Sequence, residues 1–511
     1  MTRTAVREYH SAQWNEPVIM EMGAPGRRGA VPPEPWNAGD ASALVPASLR
    51  RTSRAALPEM SEPDVLRHYL HLSQQTLGMV GISLFGTCTM KYNPRVSERL
   101  IARPYIADVH PAQHPSTIQG ILRIISEFES ALTSLSGMAA FTFQPGGGAA
   151  AAFTHTAVTR AYHASRGEGA QRTEIITTAQ SHPSSPATAA AAGYDIITLP
   201  VEEDGYPSVE ALRAAVSERT AALMVNNPDD MGIYNPKIKE WVQIVHEAGG
   251  LCFYDHANFN GVMTRLRAAE LGFDACMFML HKTFGVTKGG GGPAVGAYGC
   301  SEKLAEFLPG PRVEHDGDAF VLVEPPSSLG RIREYLGNVP QIVAAYTWVT
   351  AMGGNGMREA ADLSVLTNNY MEKRLLEIDG ITKSFPHVTK HRLEMTRFSL
   401  AEVTEQTGVT AVDIQNRMTD FGVDAFWLSH EPWIVPEPFT PEAGEAWSLE
   451  DIDYWIDVLA HVIDEARANP ELVKTSPHNQ AVARIDGSSL DDPARWATTW
   501  RAYVRKNPDG V

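Results

Sequence analysis

From about residue 117 onward, apolar and polar positions alternate between two periods. "TIQGILRIISEFESALTSLSG" (117–137) has helical spacing, "AAFTF" (139–143) is strand-like, "AAAAFTHTAVTRAYHAS" (149–165) is helical, and "TEIITTA" (173–179) is a strand again. The alternation continues through "DIITLP", the helix "SVEALRAAVSE", the strand "AALMVNN", the helix "KIKEWVQIVHEAG", and the strands "LCFYDHA" and "FDACMFMLHK". Strands taking turns with helices over so long a span predict an α/β fold with a mainly parallel, doubly wound sheet covered on both faces. After about 335 the pattern changes to a long helix-rich stretch (341–378) and then to a mixed region. The expected organisation is an N-terminal arm over 1–80, a large domain over 81–335, a smaller α+β domain over 336–467 and a C-terminal tail over 468–511. The arm is rich in Pro, Gly and Arg ("GAPGRRGAVPPEP"), and it either packs on something larger or is partly disordered.

Composition narrows the class. At 511 residues, 43% hydrophobic and 20% charged, the chain can bury an ample core, and its formal net charge of −17 argues against nucleic acid or an anionic membrane as partner. No segment approaches the apolar length of a membrane helix, and the polar N-terminus lacks a signal-like apolar run. Four scattered cysteines, Cys88, Cys252, Cys276 and Cys300, form no C-x-x-C pair; buried thiols in a reducing cytoplasm are expected, with no metal site.

In a parallel sheet the strands deliver their C-terminal residues to one edge, and here those residues are chemically informative. The first strand ends in "QPGGGAAAA", a glycine-rich turn opening a helix, which either binds a phosphate through backbone N–H groups or is only a tight connection. The second is followed by His182, a ring that stacks on a planar cofactor or caps a prolyl loop. Asn227, before Pro228, either offers an amide to a cofactor hydroxyl or starts a turn. Asp255 follows apolar and aromatic residues, where an unpaired carboxylate is expensive and wants a cation. Lys282 closes "FDACMFMLHK" ahead of the glycine block 289–292; it is either an exposed loop lysine or a desolvated nucleophile able to form a Schiff base. Pyridoxal 5'-phosphate needs all of these at once: a phosphate cradle, a stacking face, a carboxylate for the pyridinium N–H and a lysine.

Seven segments carry a resemblance. "PGRRG" (25–29), "GTCTMKYNP" (86–94), "YDHAN" (254–258), "LHKTF" (280–284), "GGGGP" (289–293), "FLPGP" (307–311) and "PELVKTSPHN" (470–479) resemble, in order and roughly to scale, the second subunit of the two-subunit glycine decarboxylase. This is the P-protein of the glycine cleavage system, of the aminotransferase-like fold type I, and the likeness runs from about 17 to 486. The resemblance implies that Lys282 forms the internal aldimine, Asp255 holds the pyridinium nitrogen and His182 stacks on the ring. The implied cofactor-binding set is Gly147, Gly148, Ala149, His182, Asn227, Asp255, Ala257, His281 and Lys282. It also implies a reaction: glycine loses its carboxylate as CO2 from an external aldimine, and the remainder passes to the lipoyl disulfide of an H-protein, with a homologous first subunit as partner. Fold type I sites usually lie at a dimer interface, so a homo- or hetero-oligomer is expected.

Departures from the family fall near the chemistry. Ala150 and Ala152 stand where two polar side chains follow the phosphate turn, and His182-Pro183-Ser184-Ser185-Pro186 replaces His-Gly-Thr-Asn-Pro. Thr287–Lys288 replaces Pro-His before the glycines, and Arg397 takes the place of a Glu. Thr87, Lys91, Ala152, Ser184, Lys288 and Arg397 are therefore the expected substrate-side residues. A roomier, more cationic pocket would suit a substrate larger or more acidic than glycine, acted on by decarboxylation, aldol-type cleavage or deamination. A non-catalytic assembly subunit is the third reading, opposed by the retention of both Asp255 and Lys282.

Overall fold

In a computed structural model of the chain, the described residues are 5–34, 36, 39–53, 55, 57–76, 81–85, 93–287, 294–424, 426–431, 433–485, 487 and 490–508. Seven strands build the central sheet: β1 (Ala140–Thr142), β2 (Glu174–Thr178), β3 (Asp195–Leu199), β4 (Thr220–Asn226), β5 (Leu251–His256), β6 (Ala275–Met279) and β7 (Gly296–Cys300), in the order β1-β7-β6-β5-β4-β2-β3. The pairs β2/β3, β2/β4, β4/β5 and β5/β6 are parallel, and β7 runs antiparallel between β6 and β1. The mainly parallel, doubly wound sheet expected from the pattern is present, with β7 as its one reversed strand.

Side chains alternate across this sheet with a period of two. From β4 and β5, Leu223, Val225, Cys252 and Tyr254 pack with Leu122, Phe128 and Trp241 on one face. Ala222, Met224, Leu251 and Phe253 pack with Ala151, Ala152 and Val158 on the other. Helices on both faces exclude water from the sheet, so its strands read as continuous apolar runs. Cys252, Cys276 and Cys300 are buried free thiols, and Cys88 lies outside the described residues.

A hairpin, β8 (Arg312–His315) with β9 (Phe320–Val323), follows the sheet. The helix Val339–Leu375 then spans 37 residues, broken at Gly353 by φ 59°, ψ −179°, a conformation that only glycine adopts without strain. Its first part supplies Ile342, Ala345 and Trp348 to the sheet core, and its end supplies Met371 and Leu375 to a separate cluster. That second cluster forms around a three-stranded antiparallel sheet, β10 (Thr382–Lys383), β11 (Phe398–Ser399) and β12 (Pro438–Phe439), and the helix Leu449–Ala468. The N-terminal segment packs on this part: Tyr9 N–H donates to the Asp420 carbonyl at 2.7 Å and Ser11 N–H to that of Asn479 at 2.9 Å. Among the described residues no helix is long and apolar enough to cross a membrane.

Candidate active site

The parallel register brings the ends of β4, β5 and β6 together, and one pocket collects what stands there: Asn226, Asp255, Ala257, Asn258 and Lys282, with His182 and Asp230 from the loops beside them. Glu394 and Met395 close it from the opposite side. Two glycines allow that closure. A Cβ on Gly232 (φ 77°) would lie 1.8 Å from the Met395 carbonyl oxygen, and one on Gly261 would lie 1.9 Å from Glu394 Oε2.

Lys282 is 7% exposed and Asp255 6%, so the strand-end lysine is buried and not a loop lysine in solvent. Burial pushes the Asp255 carboxyl up to about 6, although the Ala257 N–H, donating to Oδ1 at 2.8 Å, and the nearby Lys282 charge both favour ionisation. His182 Nδ1 accepts from the Ser184 hydroxyl at 2.9 Å and the Ser184 N–H at 3.1 Å, which leaves the proton on Nε2. Burial, reinforced by Lys282 against the pull of Asp230, pushes this imidazole down to about 4, so it is neutral. Ser184 thus acts through His182.

The far wall is an ion network. Arg397, fully buried, donates from Nη1 to Glu431 Oε2 at 2.9 Å and from Nε to Thr440 Oγ1 at 3.1 Å. Burial, reinforced by Asp230, pushes Glu431 up. Burial opposes ionisation of Asp230, but the His430 hydrogen bond (Nδ1 to Oδ2, 3.5 Å) and the Arg397 charge hold it low. The His430 and His182 rings meet edge to face at 4.4 Å. Glu394 is pushed well up by burial and by the neighbouring Glu442 charge. Asp230, His430 and Glu431 could in geometry hold a metal ion, but the Arg397 guanidinium against Glu431 opposes a second cation there.

Several expectations change on contact with this geometry. Asn227 does not line the pocket: its Nδ2 donates to the Asn235 carbonyl at 3.2 Å and its Oδ1 accepts from the Asn235 N–H at 2.7 Å. The turn reading holds, and the preceding Asn226 faces the pocket, with Nδ2 on Asp230 at 2.8 Å and a buried Oδ1 lacking a partner. Ala152 is fully buried in the apolar cluster and opens no space at the pocket, because the helix turns it toward the sheet. Arg397 does not line the pocket, and its charge is balanced by Glu431. His281 is half-buried and does not line the pocket either. Thr87, Lys91 and Lys288 lie outside the described residues.

Gly147 caps the helix Gly148–Ser165, whose first turn, including Ala149, carries backbone N–H groups without intrahelical partners. A Cβ on Gly147 would meet nothing within 4 Å, and one on Gly148 would lie 3.7 Å from the sulfur of Met279, at the end of β6 and three residues before Lys282. The glycine turn and the lysine are therefore neighbours at one sheet edge.

This sheet is that of the class-V aminotransferases, pyridoxal phosphate enzymes of fold type I, and the class-V aminotransferase family model matches residues 146–425. Among solved structures, the glycine decarboxylase P-protein of the glycine cleavage system in inhibitor-bound form has a TM-score of 0.69 at 21% identity, covering 83% of this chain and 94% of that one. The Escherichia coli cysteine desulfurase CsdA has a TM-score of 0.57 at 16% identity, covering 77% and 95%. Proteins described as "Probable glycine dehydrogenase (decarboxylating) subunit 2" are 41% identical in Pyrococcus abyssi, covering 98% of this chain and 99% of that one, and 36% identical in Caldanaerobacter subterraneus, covering 94% and 97%. The chain belongs to the glycine dehydrogenase (decarboxylating) subunit 2 family. The cofactor of that family fits the residues present: burial raises the carboxyl of Asp255, which a ring N–H would stabilise in its charged form, and the glycine turn leaves the room a Cβ would fill.

Proposed function

We propose that this chain is the lysine-bearing subunit of a glycine decarboxylase, working in the cytoplasm with a homologous first subunit and a lipoyl-carrying H-protein. The observation that carries this reading is the convergence of buried Lys282, buried Asp255 and neutral His182 on one pocket. Pyridoxal phosphate, when bound, supplies the electron sink for charge left at the α-carbon when a bond there breaks. Lys282 holds the cofactor through Nζ and carries a proton at that atom during the reaction. Asp255 accepts the ring N–H and keeps it protonated, and His182 covers the ring while Ser184 fixes its tautomer. The cofactor-binding part then comprises the central sheet and the first part of the helix Val339–Leu375, while Leu84 and the end of that helix belong to the smaller part, so the boundaries expected at 81 and 336 shift.

Glycine is favoured over a larger or more acidic substrate by two features of the described residues. Asp230 puts negative charge on the pocket, against a second substrate carboxylate, and neither Ala152 nor Arg397 supplies the space or free cation that such a substrate needs. The test is exchange of the amino-acid carboxyl with labelled bicarbonate, using this chain with its first subunit and H-protein. Glycine should exchange at least roughly tenfold faster than serine, aspartate or glutamate. Faster exchange with any of these would restore the reading of a repurposed enzyme.

A further inference from the structure

Arg333 stands beside the glycine turn without a structural reason to be there. The side-chain amide of Gln144, two residues after β1, holds two loops: Nε2 donates to the Gly310 carbonyl at 2.7 Å, and Oε1 accepts from the N–H groups of Ile332 at 3.0 Å and Arg333 at 3.5 Å. Segment 332–337 is thereby laid across the end of β1. Gly337 completes the seat, since it has φ 85° and a Cβ there would lie 2.2 Å from the Phe143 carbonyl oxygen. The Arg333 guanidinium then rests on Gly146, where a Cβ would come within 3.1 Å of Nη1 and 3.9 Å of Cζ. Gly146 directly precedes the cap of the helix Gly148–Ser165.

Among the described residues the only side-chain hydrogen bond of Arg333 is from Nε to Glu334 at 3.4 Å, a pair exposed by 32% and 69%. Such a pair contributes little to stability. A guanidinium beside a helix N-terminus is also unfavourable by itself, because the helix end carries positive partial charge. The arrangement becomes favourable once a dianion lies between the two, where a helix N-terminus and an arginine fork both bind phosphate.

We infer that Arg333 is a direct ligand of the cofactor phosphate and sets the preference for phosphorylated over unphosphorylated pyridoxal. The inference rests on the pocket of Lys282 and Asp255 being the cofactor site. Its test is a pair of equilibrium titrations of the cofactor-free protein, one with pyridoxal 5'-phosphate and one with pyridoxal, read by absorbance and by borohydride trapping on Lys282. Arg333→Ala should raise the Kd for pyridoxal phosphate by roughly ten- to a hundredfold while leaving that for pyridoxal unchanged, with Arg333→Lys in between. Gly146→Ala provides an independent arm, since its methyl displaces the guanidinium without removing it, and it should reproduce the selective loss. Equal weakening of both ligands, or no change for pyridoxal phosphate, overturns the assignment. Failure of the wild-type protein to trap either ligand on Lys282 overturns the cofactor-site reading instead, and the assignment with it.

Discussion

On the sheet side of the pocket, Asn226, Asp255 and Lys282 stand at or just past strand ends, held by a ladder whose own side chains are buried on both faces. On the opposite side, Arg397, Glu431 and Thr440 bind one another and hold loops around a small sheet. The difference separates chemistry from architecture. On the sheet side burial raises the Asp255 carboxyl and leaves Asn226 Oδ1 without a hydrogen-bond partner, two groups that a ligand in the pocket can meet. Polar groups on the far side bond chiefly to one another, although Arg397 Nη2 and Glu431 Oε1 stay buried without a hydrogen-bond partner among the described residues and burial raises Glu431 too, so their first role is to keep that wall in place.

The sharpest consequence is at Lys282. Lys282→Ala removes a charged group from a pocket and should leave the fold intact, but turnover should fall by about 10⁴-fold, measured as bicarbonate exchange. A variant retaining more than a small fraction of activity would take Lys282 out of the chemistry. Across the pocket the expected effect is on stability. Arg397→Met leaves Glu431 buried without its partner and should cost about 3–5 kcal/mol in urea unfolding, while cofactor still attaches to Lys282. The double change Arg397→Met, Glu431→Leu should recover most of that loss, and if the single change left stability untouched, the two walls would not differ as described.

Asp255→Asn joins both effects. Turnover should drop by about 10²–10³-fold, because a neutral amide no longer keeps the ring protonated. In the cofactor-free protein the sign on stability is opposite. The Asp255 carboxyl, raised in the folded state to about 6, gives stability that is fully present below the unfolded value near 4 and is lost as pH rises through 6. Relative to wild type, cofactor-free Asp255→Asn should therefore gain on the order of 2–3 kcal/mol between pH 4 and 7.5, followed by thermal melting at each pH. A difference that does not change with pH would mean that Asp255 is already compensated. The smallest expected effect is at Ser184. Ser184→Ala removes one hydrogen bond to His182 and should weaken cofactor binding by about 1 kcal/mol, without altering the pH profile of stability set by Asp255.

The two sides also differ in how far the sequence discloses them. Lys282, Asp255 and His182 follow runs of strand character, and a parallel sheet sends such residues to one edge, so their convergence is legible in the chain itself. The pattern points to Asn227 where Asn226 faces the pocket, because one residue of register decides which side chain turns inward and a Pro-containing turn does not reveal that register. Ala152 reads as an opening because it stands where the resembled family carries a larger polar side chain after the phosphate turn; helical rotation carries it into the core. The partners of Arg397 lie 34 and 43 residues away on loops without periodicity, so nothing local in the chain announces them. Strand β7, "GAYGC", escapes a reading by pattern because two glycines in five residues hide its β character.

Borohydride reduction of the protein isolated with its cofactor, followed by peptide mapping, tests the central assignment most directly. A single pyridoxyl label on the peptide carrying Lys282, abolished in Lys282→Ala and retained in Arg397→Met, is the result expected of a pocket whose chemistry lies on the sheet side. A label on another lysine, or a protein that takes up no label at all, would contradict it.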